Sequence, residues 1–312
     1  MPRLALRTQW TSAFALYALG ALMVGACIHD WEEWLPASGT NTGTNTGTNT
    51  GTETGTETGT NTGAGTQTGS GGGGTEQPGT CPGSGLGSAA LVKVNTPQPQ
   101  GTVMCIDETE VTKGQYMGWL DTSPAPGDQT APCTWNTGFA PQDGAWPPPT
   151  EDEDLPVFGV NWCDARFYCE SVGKRLCGRI AGSDPLPTSS FADYFESEWY
   201  NACTERGAHT FPYGGSYDAA TCNGNDMSVG EPLIVGSLGD CATTAGVVDL
   251  SGNVWEWEDS CGGATGGTDN CRVRGGAWNA AETLMGCSAD LLQQRQTRSP
   301  ALGFRCCADA QL

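Results

Sequence analysis

The sequence predicts an α+β domain that is loop-rich and stapled by disulfides. Three observations carry this. The 312 residues include 15 cysteines, and setting aside Cys27 in the leader leaves an even fourteen, which in an exported chain reads as a disulfide framework. Glycine (46) and proline (19) are abundant and break the chain into short segments. The runs that do show a period are brief, some alternating like strands and some helical. The strongest of them follows the Ser251-Gly252-Asn253 turn, where Trp255 and Trp257 alternate with Val254, Glu256 and Glu258. Two tryptophans on one face need a core. On the other side Asp249, Asn253, Glu256, Glu258 and Asp259 crowd oxygens around a tight turn, and like charges that close need a cation or arginines among them. Either calcium or pairing with the nearby Arg272 and Arg274 would answer them.

The elements follow in chain order. Residues 1–26 read as a targeting segment: Arg3 and Arg7 precede an apolar run, Thr11 to Ala26, too short to span a bilayer comfortably. The run ends Val24-Gly25-Ala26-Cys27, which resembles a bacterial lipobox and implies lipidation of Cys27. Residues 27–80 form a tether. Its Gly-Thr-Asn-Thr and Gly-Thr-Glu-Thr repeats over residues 39–74 offer nothing apolar to bury. As a flexible coil that stretch would hold its ends roughly 30–36 Å apart. The folded domain is expected over residues 81–312.

Within it, Ala89–Val94 and Met104–Thr112 read as strands, and Lys113–Leu120 as a helix with Thr112 as N-cap. Residues 121–154 read as a long loop. Cys163–Val172 is amphipathic and ends at Gly173, Glu196–Cys203 is a short helix, and Gly-rich turns follow. Cys261 and Cys271 flank a glycine-rich loop that a bridge would close. No Cys-x-x-Cys spacing occurs, which argues against zinc ribbons and thioredoxin chemistry. A net charge of −21 with only 14 Lys and Arg makes nucleic acid and anionic lipid surfaces poor partners.

Seven short segments then occur in order: Asp107-Glu108-Thr109-Glu110-Val111-Thr112; Val160-Asn161-Trp162-Cys163-Asp164-Ala165 with Gly173-Lys174-Arg175-Leu176; Glu198-Trp199; Phe211-Pro212-Tyr213-Gly214; Leu250-Ser251-Gly252-Asn253-Val254-Trp255-Glu256-Trp257; Arg272-Val273-Arg274-Gly275-Gly276-Ala277-Trp278; and Gly303-Phe304-Arg305-Cys306. Together they resemble the sulfatase-modifying factor domain, the formylglycine-generating enzyme family. The resemblance spans residues 89 to 309 and implies an irregular C-type-lectin-like fold with disulfides and calcium. By position it implies the bridges Cys169–Cys306 and Cys203–Cys287. It implies calcium at the turn through Ser251, Gly252, Val254 and Glu256, with Asn223 and Gly224 as part of a second site.

The family's copper(I) chemistry needs two cysteines soon after the Gly-Gly-Ser-aromatic segment. Here Ala280 stands at the first position and Met285 at the second, and Cys287 suits the structural bridge. Copper is therefore not expected. The two histidines, His29 and His209, are too few for the histidine-bound iron of a related branch. The resulting expectation is a lipoprotein of the cell envelope, held through Cys27 at a bilayer, most readily the outer membrane. It carries a non-catalytic module that binds a protein, peptide or glycan, or has a structural role. The alternative is an oxidase that converts a cysteine of a client sulfatase to formylglycine. Fold alone does not decide between them.

Overall fold

A computed structural model describes residues 78–312, Gln100 and Ser183 aside, all within one compact unit, Gly69–Leu312. The targeting segment, Cys27 and the tether as far as residue 77 lie outside the described residues. Thr80 already exchanges two backbone hydrogen bonds with Gln311, each 2.9 Å, so both ends of the domain are fastened together.

The first strand, β1 (Leu91–Asn95), and the second, β2 (Val103–Asp107), pair antiparallel. The strand expected through Thr112 stops at Asp107, because the next residues turn to other partners. Glu108 N donates to Ala90 O, and Val111 N to Phe304 O. Helix α1 (Lys113–Leu120) begins where Thr112 caps it, in a reciprocal capping box with Gln115. Helix α2 (Trp162–Ser171) starts in the same way, Asn161 and Asp164 each bonding the other's backbone N–H at 2.9 Å. Helix α3 (Glu198–Thr204) is capped by Ser197.

The remaining strands are β3 (Arg175–Leu176), β4 (Trp255–Cys261), β5 (Asn270–Arg274), β6 (Leu291–Gln294), β7 (Leu302–Gly303) and β8 (Cys306–Asp309). They complete two sheets of order β1-β2-β8-β3 and β6-β5-β4-β7, an α+β arrangement with little helix. The last strand, β8, thus lies between β2 and β3, and β7 runs parallel to β4 while the other pairs are antiparallel.

Disulfides tie the irregular parts to these sheets. Cys169 pairs with Cys306, Cys203 with Cys287, and Cys261 with Cys271 across the β4–β5 hairpin. Cys81–Cys105, Cys133–Cys163, Cys177–Cys307 and Cys222–Cys241 account for the rest. Cys306 and Cys307 are neighbours on one strand, so their side chains leave opposite faces. One reaches α2 and the other the segment after β3, and β8 is bound on both sides. The main core packs Tyr116, Trp119, Tyr168, Trp257 and Phe304, with Tyr116 and Tyr168 stacked at 5.5 Å.

Candidate functional site

The motif residues meet in the interior, and they meet as ion pairs. Lys174 Nζ lies 2.6 Å from Asp107 Oδ1, and Asp107 Oδ2 accepts the Cys306 N–H. Arg175 pairs with Glu198, and Arg298 lies 2.7 Å from Asp164. Burial pushes Asp107 and Asp164 up to about 6 against the pull of these cations. Charges buried this way need their partners, since either one alone would be stranded.

The acidic face of β4 is buried rather than solvated: Glu256 and Glu258 are both fully covered. The arginine that answers Glu256 is neither Arg272 nor Arg274. Arg305 grips it with two bonds of 2.7 Å, from Nε and Nη2, while Trp199 Nε1 donates to it at 2.8 Å. Arg272 pairs with Asp290 and donates to Thr188 O. Arg274 stands 3.9 Å from Glu258 and donates to Cys287 O.

Beside Glu256 lies a group that the sequence reading missed. Glu110 is fully buried, and no amide, hydroxyl or cationic donor reaches its oxygens; its carboxyl bonds instead to that of Asp249. Burial, then the charge of Asp249, drives its carboxyl well above the usual range, and burial lifts Asp249 to about 6. Three carboxylates here act on one guanidinium, Arg305. The only signal in the sequence was the repeated acid of Asp-Glu-Thr-Glu, which does not reveal that its last member turns inward.

The residues expected to hold calcium surround this place. Ser251 Oγ donates to Met285 O, Gly252 N to Gly275 O, and Asn253 N to Asn223 O. Glu256 is engaged by Arg305 and Trp199. Asn223 is buried, its Nδ2 is used twice, and its Oδ1 accepts nothing. Among the described residues no three His, Cys, Asp or Glu side chains stand close enough to hold a metal. Of the residues expected to hold calcium, Glu256 has both carboxylate oxygens bonded by Arg305, while Asn223, beside Gly224, keeps an unpaired side-chain oxygen.

The positions matched to the copper cysteines lie in the same neighbourhood and are packed shut. After β5, Gly275 and Gly276 both take left-handed conformations, φ +87° and +81°, which only glycine adopts freely. The turn brings Ala280 and Met285 inward, 3% and 1% exposed. Three glycines form the socket for Met285. A Cβ on Gly224 or Gly252 would come within 2.7 or 2.9 Å of Met285 Cε, and one on Gly276 within 3.1 Å of its Sδ. Cys287, two residues on, is bonded to Cys203. Every described cysteine is in such a bridge. A hollow of about 290 Å³ lies elsewhere, against Val103, Met104, Glu198 and Asp309.

A sequence profile of the sulfatase-modifying factor enzyme 1-like domain matches residues 86–310. The chain belongs to this family. Its coordinates are similar to three solved structures, each aligned over 72% of this chain. CarF shows 17% identity and a TM-score of 0.48, with 99% of its own chain covered. Treponema denticola variable protein 1 shows 18% identity and 0.43, with 94% covered. PvdO from Pseudomonas aeruginosa shows 17% identity and 0.45, with 92% covered.

Proposed function

We propose that this protein is a lipid-anchored member of the formylglycine-generating-enzyme-like family that does not carry out the family's oxidation and serves as a binding or structural module at the cell envelope. One observation carries the reading. The two positions matched to the copper-binding cysteines hold Ala280 and a socketed Met285, and the nearest thiol is spent in Cys203–Cys287. A methyl group offers no ligand, and a thioether cannot supply a thiolate's charge. Incubation of copper-loaded protein and oxygen with a peptide carrying Cys-x-Pro-x-Arg should leave the peptide's mass unchanged. Turnover above that of a Cys287→Ser variant would overturn the reading.

The anchor rests on the Val24-Gly25-Ala26-Cys27 segment. Cells fed a fatty-acid analogue should label the wild type and not Cys27→Ala, and equal labelling of the two would remove the anchor from the account.

Calcium is the proposed structural ion, supported by the unpaired side-chain oxygen of buried Asn223, whose backbone oxygen accepts Asn253 N of the turn. A ligand bound only by the folded state stabilises it, by about 2.7 kcal/mol at a hundredfold excess over Kd. Chelator should lower the melting temperature by several degrees, and added calcium should restore it where magnesium does not. An unchanged melting temperature would leave the turn as an arginine-paired one. The Glu256→Gln variant is a poor reporter, because it also breaks the pair with Arg305.

A further inference from the structure

The segment Val229–Gly236 is an irregular loop, yet it is tightly held from beneath. Asn253 Oδ1 accepts Leu233 N at 2.8 Å, and its Nδ2 donates to Leu233 O at 3.2 Å. Asn223 Nδ2 donates to Glu231 O, Val235 N to Asp154 O, and Gly236 N to Asp249 Oδ2. Polar groups of the buried turn are thus used to fix a surface loop. What the loop presents outward is apolar: Val229 is 39% and Ile234 47% exposed. Single exposed aliphatics are ordinary on a protein surface, but two in one pinned loop form a preorganised contact that loses little freedom on binding.

The segments that hold and flank the loop are acidic. Asp154, which binds it, ends the run Glu151-Asp152-Glu153-Asp154, and Glu231 lies within it. Asp226, just before it, holds the Tyr217 hydroxyl at 3.1 Å. No lysine or arginine occurs between Lys113 and Arg166 or between Arg206 and Arg272, the two stretches that build this face. Lys113, at the start of the first stretch, is buried against Asp143 and Phe158. We infer that this face docks a basic protein segment in which arginine or lysine flanks an aliphatic side chain, the aliphatic group meeting Val229 and Ile234 and the charges meeting the acidic rim. This rests on the binding reading above and names the partner's chemistry.

The test uses the full-length chain in a neutral detergent and fluorescence anisotropy of a short labelled peptide of alternating arginine and leucine. The wild type should bind it. Binding should weaken at least about tenfold, roughly 1.4 kcal/mol, in Val229→Ser/Ile234→Ser, and as much when serine replaces leucine in the peptide. Leu292→Ser, at an exposed aliphatic on β6, serves as the control and should bind like the wild type. No binding by the wild type, equal binding of the arginine–serine peptide, or retained affinity in the double variant would overturn the proposal. A failure here with no peptide oxidation in the formylglycine assay rejects this face alone. Peptide oxidation rejects the non-catalytic reading whatever the anisotropy shows.

Discussion

Replacing Arg305 by methionine is expected to destabilise the fold by about 3–5 kcal/mol, the range seen when one member of a buried ion pair is removed. Arg305 is fully buried and gives both Nε and Nη2 to Glu256. Its Nη1 donates to Asp107 O at 3.1 Å and its Nη2 also to Val248 O at 2.9 Å. Methionine would fill much of the volume but strand Glu256 beside Glu110 and Asp249, with no cation left among three acids. Replacing both partners, Arg305→Met with Glu256→Leu, should cost less than Arg305→Met alone, because the stranded charge goes with its partner. Urea unfolding of the wild type and the two variants measures this. A loss below about 1 kcal/mol for the single change, or a double variant no better than the single, would contradict the assigned pairing.

The second large effect lies in β8. Cys169–Cys306 and Cys177–Cys307 close loops with sequence separations of 137 and 130. The two bridges start close together and end on adjacent residues, so each is nearly redundant while the other remains. With one intact, losing its neighbour frees only a short loop, costing about 2–3 kcal/mol in the chain-entropy view. Losing both also frees the long loop, worth about 5 kcal/mol more. The combined loss should therefore exceed the sum of the single ones. Unfolding midpoints of Cys169→Ala/Cys306→Ala, of Cys177→Ala/Cys307→Ala and of the fourfold variant test it, and strict additivity would contradict it.

Much of this architecture was legible in the residues. The capping pairs Thr112/Gln115 and Asn161/Asp164 lie three residues apart and need only local geometry, so α1 and α2 fell within a residue of where the pattern put them. The period of two around Trp255 and Trp257 located β4. Its neighbours in the second sheet were not legible, because β5 reads Asn-Cys-Arg-Val-Arg and β6 reads Leu-Leu-Gln-Gln. Those strands exist through their partners: Arg272 and Arg274 are buried only because Phe191, Glu258 and Asp290 come to them from distant segments. The same limit applies at the site. The absence of a cysteine pair could be read from Ala280 and Met285, whereas the choice of Arg305 over Arg272 or Arg274 for Glu256 depends on β7 running beside β4. Glu110 was hidden for a related reason. Nothing local marks an acid that the tertiary fold buries against another acid, Asp249.

The account's central claim is that the cysteines from Cys81 onward are structural and leave no thiolate at the place where the family performs its chemistry. Peptide mapping of the unreduced protein, alkylated before proteolysis, tests it most directly. The account predicts a linked peptide containing Cys203 and Cys287 and no alkylated cysteine between Cys81 and Cys307. Alkylated Cys287 together with a second free cysteine would contradict it.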